Sequence, residues 1–262
     1  MNFQKNSPIG LFDSGVGGLS VLLEIRKLLP NETTIFLADP GHNPYGAKSA
    51  KELQDLSLRI TNLLIKYKIK LLVVACNTAT CYAIDYLRKN FAIPVVGVVP
   101  AIKPAIELSK KKKVAVMATP ATANSNYLKG LIVKYSKGVN VLNLGCRGLE
   151  EAIEYLSFDE IDGLLSFYTQ KLNEFECDVV VLGCTHYPFF KKEIEIGLKR
   201  KVTVVDSGEA IARRVKEILK KSGSLSKEKN RDLYFTTGNP DKFSQVASQL
   251  LKYKVSAQFA RI

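Results

Sequence analysis

Short β-branched or apolar runs, each closed by turn-forming residues, recur along the chain with longer amphipathic segments between them. A brief apolar run bounded by turn signals reads as a buried strand, and apolar positions three to four apart read as one face of a helix. On this pattern strands are expected at residues 9–12, 34–38, 71–75, 95–99, 114–118, 139–144, 179–183, 202–206 and 234–237. Helices are expected at 19–29, 51–66, 82–90, 126–134, 161–174, 189–199, 209–220 and 241–251. The alternation predicts an α/β fold of doubly wound, mostly parallel sheet, because parallel strands buried on both faces are nearly continuous in apolar residues. Leu71-Leu-Val-Val-Ala75 and Val179-Val-Val-Leu-Gly183 have that character. Nine strands make a wide single sheet, and the proline-bearing stretch at 100–104 offers a boundary, so two sheets are at least as well supported as one.

At 262 residues and 46% hydrophobic, the chain is long enough for one large core or two smaller ones. No apolar run reaches the roughly 18 residues of a membrane span; the stretch at 91–102 is broken by Pro94, Gly97 and Pro100. The start from Met1 passes almost at once into a strand-like run and lacks the regions of a signal peptide, so the expected location is cytoplasmic. Cys76, Cys81, Cys146, Cys177 and Cys184 form no C-x-x-C pair, and reduced thiols are expected. His42 and His186 are the only histidines and no zinc spacing accompanies them, so no metal is expected. The net charge of +13 raises the question of a nucleic-acid partner, since clustered Lys and Arg neutralise phosphates. Lys110 to Lys113, Lys191-Lys192, Lys199-Arg-Lys201 and Lys220-Lys221 fall instead at the polar ends of helix-like segments, which favours a solvated lysine-rich surface.

Two segments carry the chemistry: Val74-Ala-Cys-Asn-Thr78 and Leu182-Gly-Cys-Thr-His186. Each is an apolar strand, a small residue, a cysteine and then polar donors, and they lie about one small domain apart. Ligands of doubly wound sheets bind beyond the carboxyl ends of strands, which is where both cysteines fall. A cysteine just before a helix lies near unpaired N–H groups and the positive end of a dipole, which lowers a thiol pKa. Asn77, Thr78, Thr80, Thr185 and His186 add donors able to hold a carboxylate. One such cysteine is readily a buried small hydrophobe; two in matching positions favour a functional pair. Phosphatase chemistry fails because the sixth residue after Cys76, Cys81 and Cys184 is Tyr82, Leu87 and Phe190 rather than Arg. A hydrolase built on Cys184 and His186 leaves Cys76 unexplained. A dithiol redox pair lacks a resolving partner at close spacing.

The loop Asp13-Ser-Gly-Val-Gly-Gly-Leu-Ser20 follows the first strand, where a dinucleotide fold keeps its phosphate loop, and Asp39 ends the next strand, where that fold keeps its ribose acid. The G-x-G-x-x-G spacing is not met. The glycines equally allow a tight turn with Asp13 and Ser14 aimed at a small ligand. Asp39-Pro-Gly-His-Asn-Pro-Tyr-Gly46 is dense in turn formers and offers Tyr45 and Gly46 to the same pocket, or is a plain surface turn. Thr119 and Thr122 follow the fifth strand as pocket hydroxyls or as helix caps.

Inverting a carbon that bears hydrogen requires removing a proton from one face and returning one to the other, for which two bases are the direct solution. The combination of Asp13-Ser-Gly-Val-Gly-Gly-Leu-Ser20, Pro44-Tyr-Gly46, Ala75-Cys-Asn-Thr-Ala79 and Gly183-Cys-Thr-His-Tyr-Pro188 resembles the glutamate racemases, among the cofactor-independent aspartate and glutamate racemases. The resemblance spans nearly the whole chain in the family's order. It implies interconversion of L- and D-glutamate without pyridoxal phosphate, other cofactor or metal, supplying D-glutamate for peptidoglycan. By the same resemblance Cys76 is the base towards D-glutamate and Cys184 towards L-glutamate, assisted by Asp13 and His186. Asp13, Ser14, Tyr45, Gly46, Asn77, Thr78, Thr185 and His186 would hold the substrate.

The implied fold is two α/β domains, 1–99 with 208–262 and 100–207, with the active site between them and the C-terminal segment returning to the first domain. The family often has Cys-Pro and an acidic residue eight positions after that Cys; here Arg147 follows Cys146, and Glu154 takes the acidic position. His42 stands where many relatives have Arg, which puts the ion pair expected there in doubt. A related racemase for aspartate or another acid, and a basic nucleic-acid-binding protein without catalysis, remain the alternatives. The expected partner is the small-molecule substrate, with no membrane; a homodimer is left open.

Overall fold

A computed structural model describes residues 5–262; residues 1–4, part of the stretch read as lacking a leader, lie outside them. The chain opens with β1 (Ile9–Asp13), α1 (Leu19–Leu28), β2 (Thr34–Ala38), α2 (Ala50–Lys66), β3 (Leu71–Val74), α3 (Asn77–Asn90) and β4 (Val95–Gly97). There follow α4 (Ile102–Leu108), β5 (Lys113–Ala118), α5 (Pro120–Asn124), α6 (Asn126–Tyr135), β6 (Asn140–Gly145), α7 (Leu149–Glu154), α8 (Phe158–Phe175), β7 (Val179–Leu182), α9 (Lys191–Gly197) and β8 (Thr203–Val205). The last elements are α10 (Gly208–Lys221), β9 (Leu233–Thr236), α11 (Pro240–Leu251) and β10 (Ala257–Phe259). Two compact units result, one running to Val98 and resuming over Gly208–Ile262, the other Val99–Ser207.

Each unit holds one parallel sheet, six strands in the order β10-β9-β2-β1-β3-β4 in the first and four in the order β6-β5-β7-β8 in the second. The α/β class with two parallel sheets is therefore the one the apolar runs predict. Every residue of β1, β3 and β7 is buried, which is why they read as unbroken apolar runs rather than alternating ones. In the second unit Ala115, Met117, Val180 and Leu182 feed one core, whereas Val114, Val116, Val179 and Val181 feed the other. In the first, α2 lays Leu53, Leu56, Ile60 and Leu64 on the sheet, and a Ser49–Glu52 capping box fixes where that helix starts.

The strand order decides where chemistry can sit. The chain goes from β1 to β2 on one side and then crosses to β3 on the other, so the order reverses between β1 and β3. The four-stranded sheet repeats this course, with β6 on one side of β5 and β7 on the other. Crevices open beyond the carboxyl ends of strands at such switch points. Asp13 and Cys76 stand at the first of these, and Cys184 follows β7 at the second. The two cysteines occupy equivalent topological positions in their own sheets.

Several elements depart from the sequence reading. The helix expected from residue 82 begins at Asn77, because Cys76 serves as its cap. Helices α4, α5 and α7 have no counterpart among the expected elements, nor does β10, an edge strand of three residues. The helix expected at 189–199 is α9, preceded by a single 3-10 turn at Tyr187–Phe190. Lys220 and Lys221 close α10 as expected, but Lys191 and Lys192 open α9, and 110–112 link α4 to β5. Among the described residues no helix is long and apolar enough to cross a membrane.

Candidate active site

In the first unit, Asp13 ends β1 fully buried, and its Oδ1 accepts from the Gly15 N–H at 2.9 Å and from Ser14 Oγ at 3.2 Å. Cys76 Sγ lies 3.7 Å from the same Ser14 hydroxyl and donates to it. Thiol, hydroxyl and carboxylate thus form one line along which a proton can pass. The turn that permits this needs glycine, since a methyl on Gly18 would stand 2.7 Å from Asp13 Cβ and 2.9 Å from Ala75 Cβ. The Ala79 N–H donates to Cys76 Sγ at 3.4 Å, so the thiol caps α3.

Asn77 and Thr78 form the first turn of that helix, both buried. Asn77 Oδ1 is buried with no hydrogen-bond partner among the described residues, as is Asn43 Oδ1. A buried carbonyl without a donor calls for a ligand N–H or a water. Tyr45 and Gly46 lie in a 3-10 turn, with the Tyr45 hydroxyl donating to Asp39 Oδ2 at 2.7 Å. Burial and then the negative charge of Asp39 push the Tyr45 pKa well above its ordinary value, so the phenol stays a neutral donor. His42 takes the ion-pair position, its Nδ1 2.6 Å from Asp39 Oδ1. Asn43, overlooked in the sequence, donates through Nδ2 to the Ser14 carbonyl at 3.0 Å. Its loop is legible as a turn, but nothing in the spacing shows that this side chain reaches Ser14.

In the second unit, Cys184, Thr185 and His186 follow β7, all buried. His186 Nδ1 lies 3.6 Å from Cys184 Sγ, and His186 Nε2 lies 2.8 Å from Glu154 Oε2. The fold brings Glu154 to the histidine from the end of α7, 32 positions upstream. A carboxylate on Nε2 orients the ring and supports the imidazolium, leaving Nδ1 to exchange a proton with the thiol. Burial raises the Cys184 pKa, with His186 only partly offsetting it. The lowered pKa expected at a helix start is therefore not met at this thiol, because a 3-10 turn rather than a long helix follows it and desolvation wins. Burial opposes the charged form of His186, yet its bonds to Cys184 and Glu154 outweigh that and hold its pKa well above the usual value.

Cys146 is buried, and burial together with the nearby Cys184 raises its pKa far out of the working range. Thr119 caps α5 by accepting from the Thr122 N–H at 3.3 Å, which accounts for it as a cap. Cys81 lies half-buried on α3. Among the described residues no three His, Cys, Asp or Glu side chains are grouped to hold a metal.

The raised His186 pKa has a consequence for stability. A histidine whose folded value exceeds its unfolded value of about 6.5 contributes stability fully below that pH and loses it as pH rises through the folded value. Glu154→Gln removes one source of the elevation. Melting curves between about pH 5.5 and 9 should show the wild type furthest above the variant at the acid end, with the gap narrowing as pH rises. A gap independent of pH would contradict a charged His186–Glu154 pair.

The Asp/Glu/hydantoin racemase family model matches residues 19–215. A glutamate racemase of Herpetosiphon aurantiacus is 42% identical over 246 residues, covering 92% of this chain and 97% of that one. The crystal structure of a Bacillus anthracis glutamate racemase superposes with a TM-score of 0.90 at 32% identity, over 99% of each chain. That of Escherichia coli glutamate racemase, in complex with L-glutamate and the activator UDP-MurNAc-Ala, gives a TM-score of 0.82 at 35% identity, covering 96% of this chain and 97% of that one.

Proposed function

The chain belongs to the Asp/Glu/hydantoin racemase family, and on that premise we propose that it interconverts L- and D-glutamate by proton transfer between two cysteines and the substrate α-carbon. The observation that carries the reading is the pair of thiols at equivalent strand ends of the two sheets, each with its own acid–base partner: Ser14 and Asp13 beside Cys76, His186 and Glu154 beside Cys184. Starting from L-glutamate, the Cys184 thiolate takes the α-proton and becomes a thiol. The Cys76 thiol then gives its proton to the opposite face of the carbanion and becomes a thiolate. The reverse direction exchanges the roles.

This mechanism requires opposite charge states on the two sulfurs at the start of each direction. The surroundings of each thiol suit that requirement. His186 can receive the proton of Cys184 while Glu154 balances the imidazolium, so the buried sulfur ionises without leaving an uncompensated charge. Ser14 and Asp13 form the corresponding route at Cys76. Ser14, Tyr45, Gly46, Asn77, Thr78 and Thr185 are assigned to holding the carboxylates and ammonium. The unpartnered Asn77 Oδ1 suits an N–H donor such as the ammonium.

The product D-glutamate would serve peptidoglycan synthesis, and we place the reaction in the cytoplasm, where thiols stay reduced. Incubating metal-free and pyridoxal-free protein with L-glutamate, and separately with L-aspartate, tests the assignment by loss of optical rotation and by chiral chromatography. Racemisation of glutamate is expected. Turnover of aspartate alone would overturn the substrate, and steeply salt-dependent nucleic-acid binding without turnover of either acid would overturn the enzymatic reading.

A further inference from the structure

We propose that Asp39, which touches no reacting atom, is a positioning residue for substrate binding: its buried carboxylate fixes the Tyr45–Gly46 loop beside the Cys76 site. The inference rests on the racemase reading above. Asp39 follows β2, and its side chain is fully buried. Three donors converge on it: His42 Nδ1 at 2.6 Å and Thr237 Oγ1 at 2.6 Å on Oδ1, and the Tyr45 hydroxyl at 2.7 Å on Oδ2. Its own N–H donates to the Asp13 carbonyl at 2.9 Å, so the loop departs directly beside the residue that leads to Cys76.

A carboxylate has an acceptor at each oxygen; an amide of the same shape turns an NH2 group towards one of the donors. That choice of side chain has no other explanation in the proton-transfer chemistry, since both oxygens are already engaged. The loop is also docked by contacts that do not touch the carboxylate directly. The Gly41 N–H donates to Thr237 Oγ1 at 3.0 Å, and a methyl on Gly41 would meet the Thr237 carbonyl oxygen at 2.7 Å. At its far end Asn43 ties the loop to the Ser14 carbonyl at 3.0 Å. Thr237 directly follows β9, so the returning C-terminal segment supplies part of the clamp that holds a binding loop of the N-terminal half.

Removing the carboxylate leaves the Tyr45 hydroxyl buried without its acceptor, and the loop must rearrange to hydrate it. The thiol, Ser14 and Asp13 keep their own bonds to one another. Binding should therefore suffer more than chemistry. Steady-state kinetics of L-glutamate racemisation with Asp39→Ala should show KM raised about tenfold to hundredfold, the range of a lost hydrogen bond to a charged group, with kcat changed less than about threefold. Asp39→Asn should recover part of the loss. Gly41→Ala, which leaves the carboxylate in place and displaces the loop from Thr237, should raise KM in the same manner. A purely structural role would lower the melting temperature and the active fraction while leaving KM unmoved.

An active wild type with KM unaltered in folded Asp39→Ala overturns the positioning role alone. A wild type inert towards glutamate overturns the functional reading on which it rests. If Asp39→Ala does not fold, Thr237→Val removes, from a half-buried position, the hydroxyl that donates to Asp39 and accepts from the Gly41 N–H. A several-fold rise in KM supports the clamp there, and an unchanged KM in both Thr237→Val and Gly41→Ala overturns it.

Discussion

Replacing either Cys76 or Cys184 with alanine will lower glutamate racemisation by about two to four orders of magnitude, the contribution of a positioned general acid or base. Both cysteines are buried, at 5% exposure each, and the substitution removes one heavy atom, so the fold should survive and circular dichroism should be unchanged. Enantiomers have equal free energies in water, which fixes the equilibrium constant at unity. Each single variant must therefore lose kcat/KM equally in both directions, although its effects on kcat and KM taken separately can differ. Assays started from L- and from D-glutamate check this directly. Near-normal turnover in both variants would remove the thiols from the mechanism.

The second large effect concerns stability and lies at the other end of the strands. Lys70, just before β3, buries its ammonium 2.6 Å from Glu32, with the two side chains 0% and 2% exposed. The ammonium also lies 2.6 Å from the Lys5 carbonyl and 2.8 Å from that of Ser224, and Glu32 accepts from the Ser226 N–H at 2.9 Å. The pair thus ties β3 to both chain-terminal segments of the first unit. Burial pushes the Lys70 pKa down and Glu32 holds it up. Glu32→Ala leaves a buried cation without its counter-charge and should destabilise the protein by about 3–5 kcal/mol in urea unfolding. Lys70→Met combined with Glu32→Leu should recover only part of this, because the Lys5 and Ser224 carbonyls then lack their donor. A loss below about 1 kcal/mol for Glu32→Ala would show the pair to be hydrated. Racemisation per folded molecule should not change in these variants.

The sheets are legible in the sequence because their strands are buried on both faces. Leu71–Val74 and Val179–Leu182 contain no polar position to mask the apolar run. β10 is not legible, since Ala257–Phe259 is a three-residue strand lying largely outside the core. The first turn of α3 is hidden for a different reason. Asn77, Thr78 and Thr80 are poor helix formers, and they stand there because a buried helix start beside Cys76 can use their polar groups. The short α5 and α7 have too few residues to display a helical period.

The candidate site divides in the same way. Asp13 and Ser14 are adjacent to a strand end, and so are Cys76 and Cys184, so strand reading alone brings them to the functional layer. The Glu154–His186 contact and the Asp39–Thr237 bond join residues far apart in the chain, which no local pattern encodes. In the sequence Asp39 reads only as a possible ribose acid. Its three donors come from two separate segments, and only the folded chain collects them.

The two-thiol account is tested most directly by racemising L-glutamate in D2O and stopping at low conversion. One cysteine carries away the substrate's proton while the other delivers a proton already exchanged with solvent. The D-glutamate formed should therefore carry deuterium at the α-carbon, while the unreacted L-glutamate remains protiated. D-glutamate that retains the original α-proton would show a single base carrying it from face to face, and would contradict the assignment of Cys76 and Cys184 as the two bases.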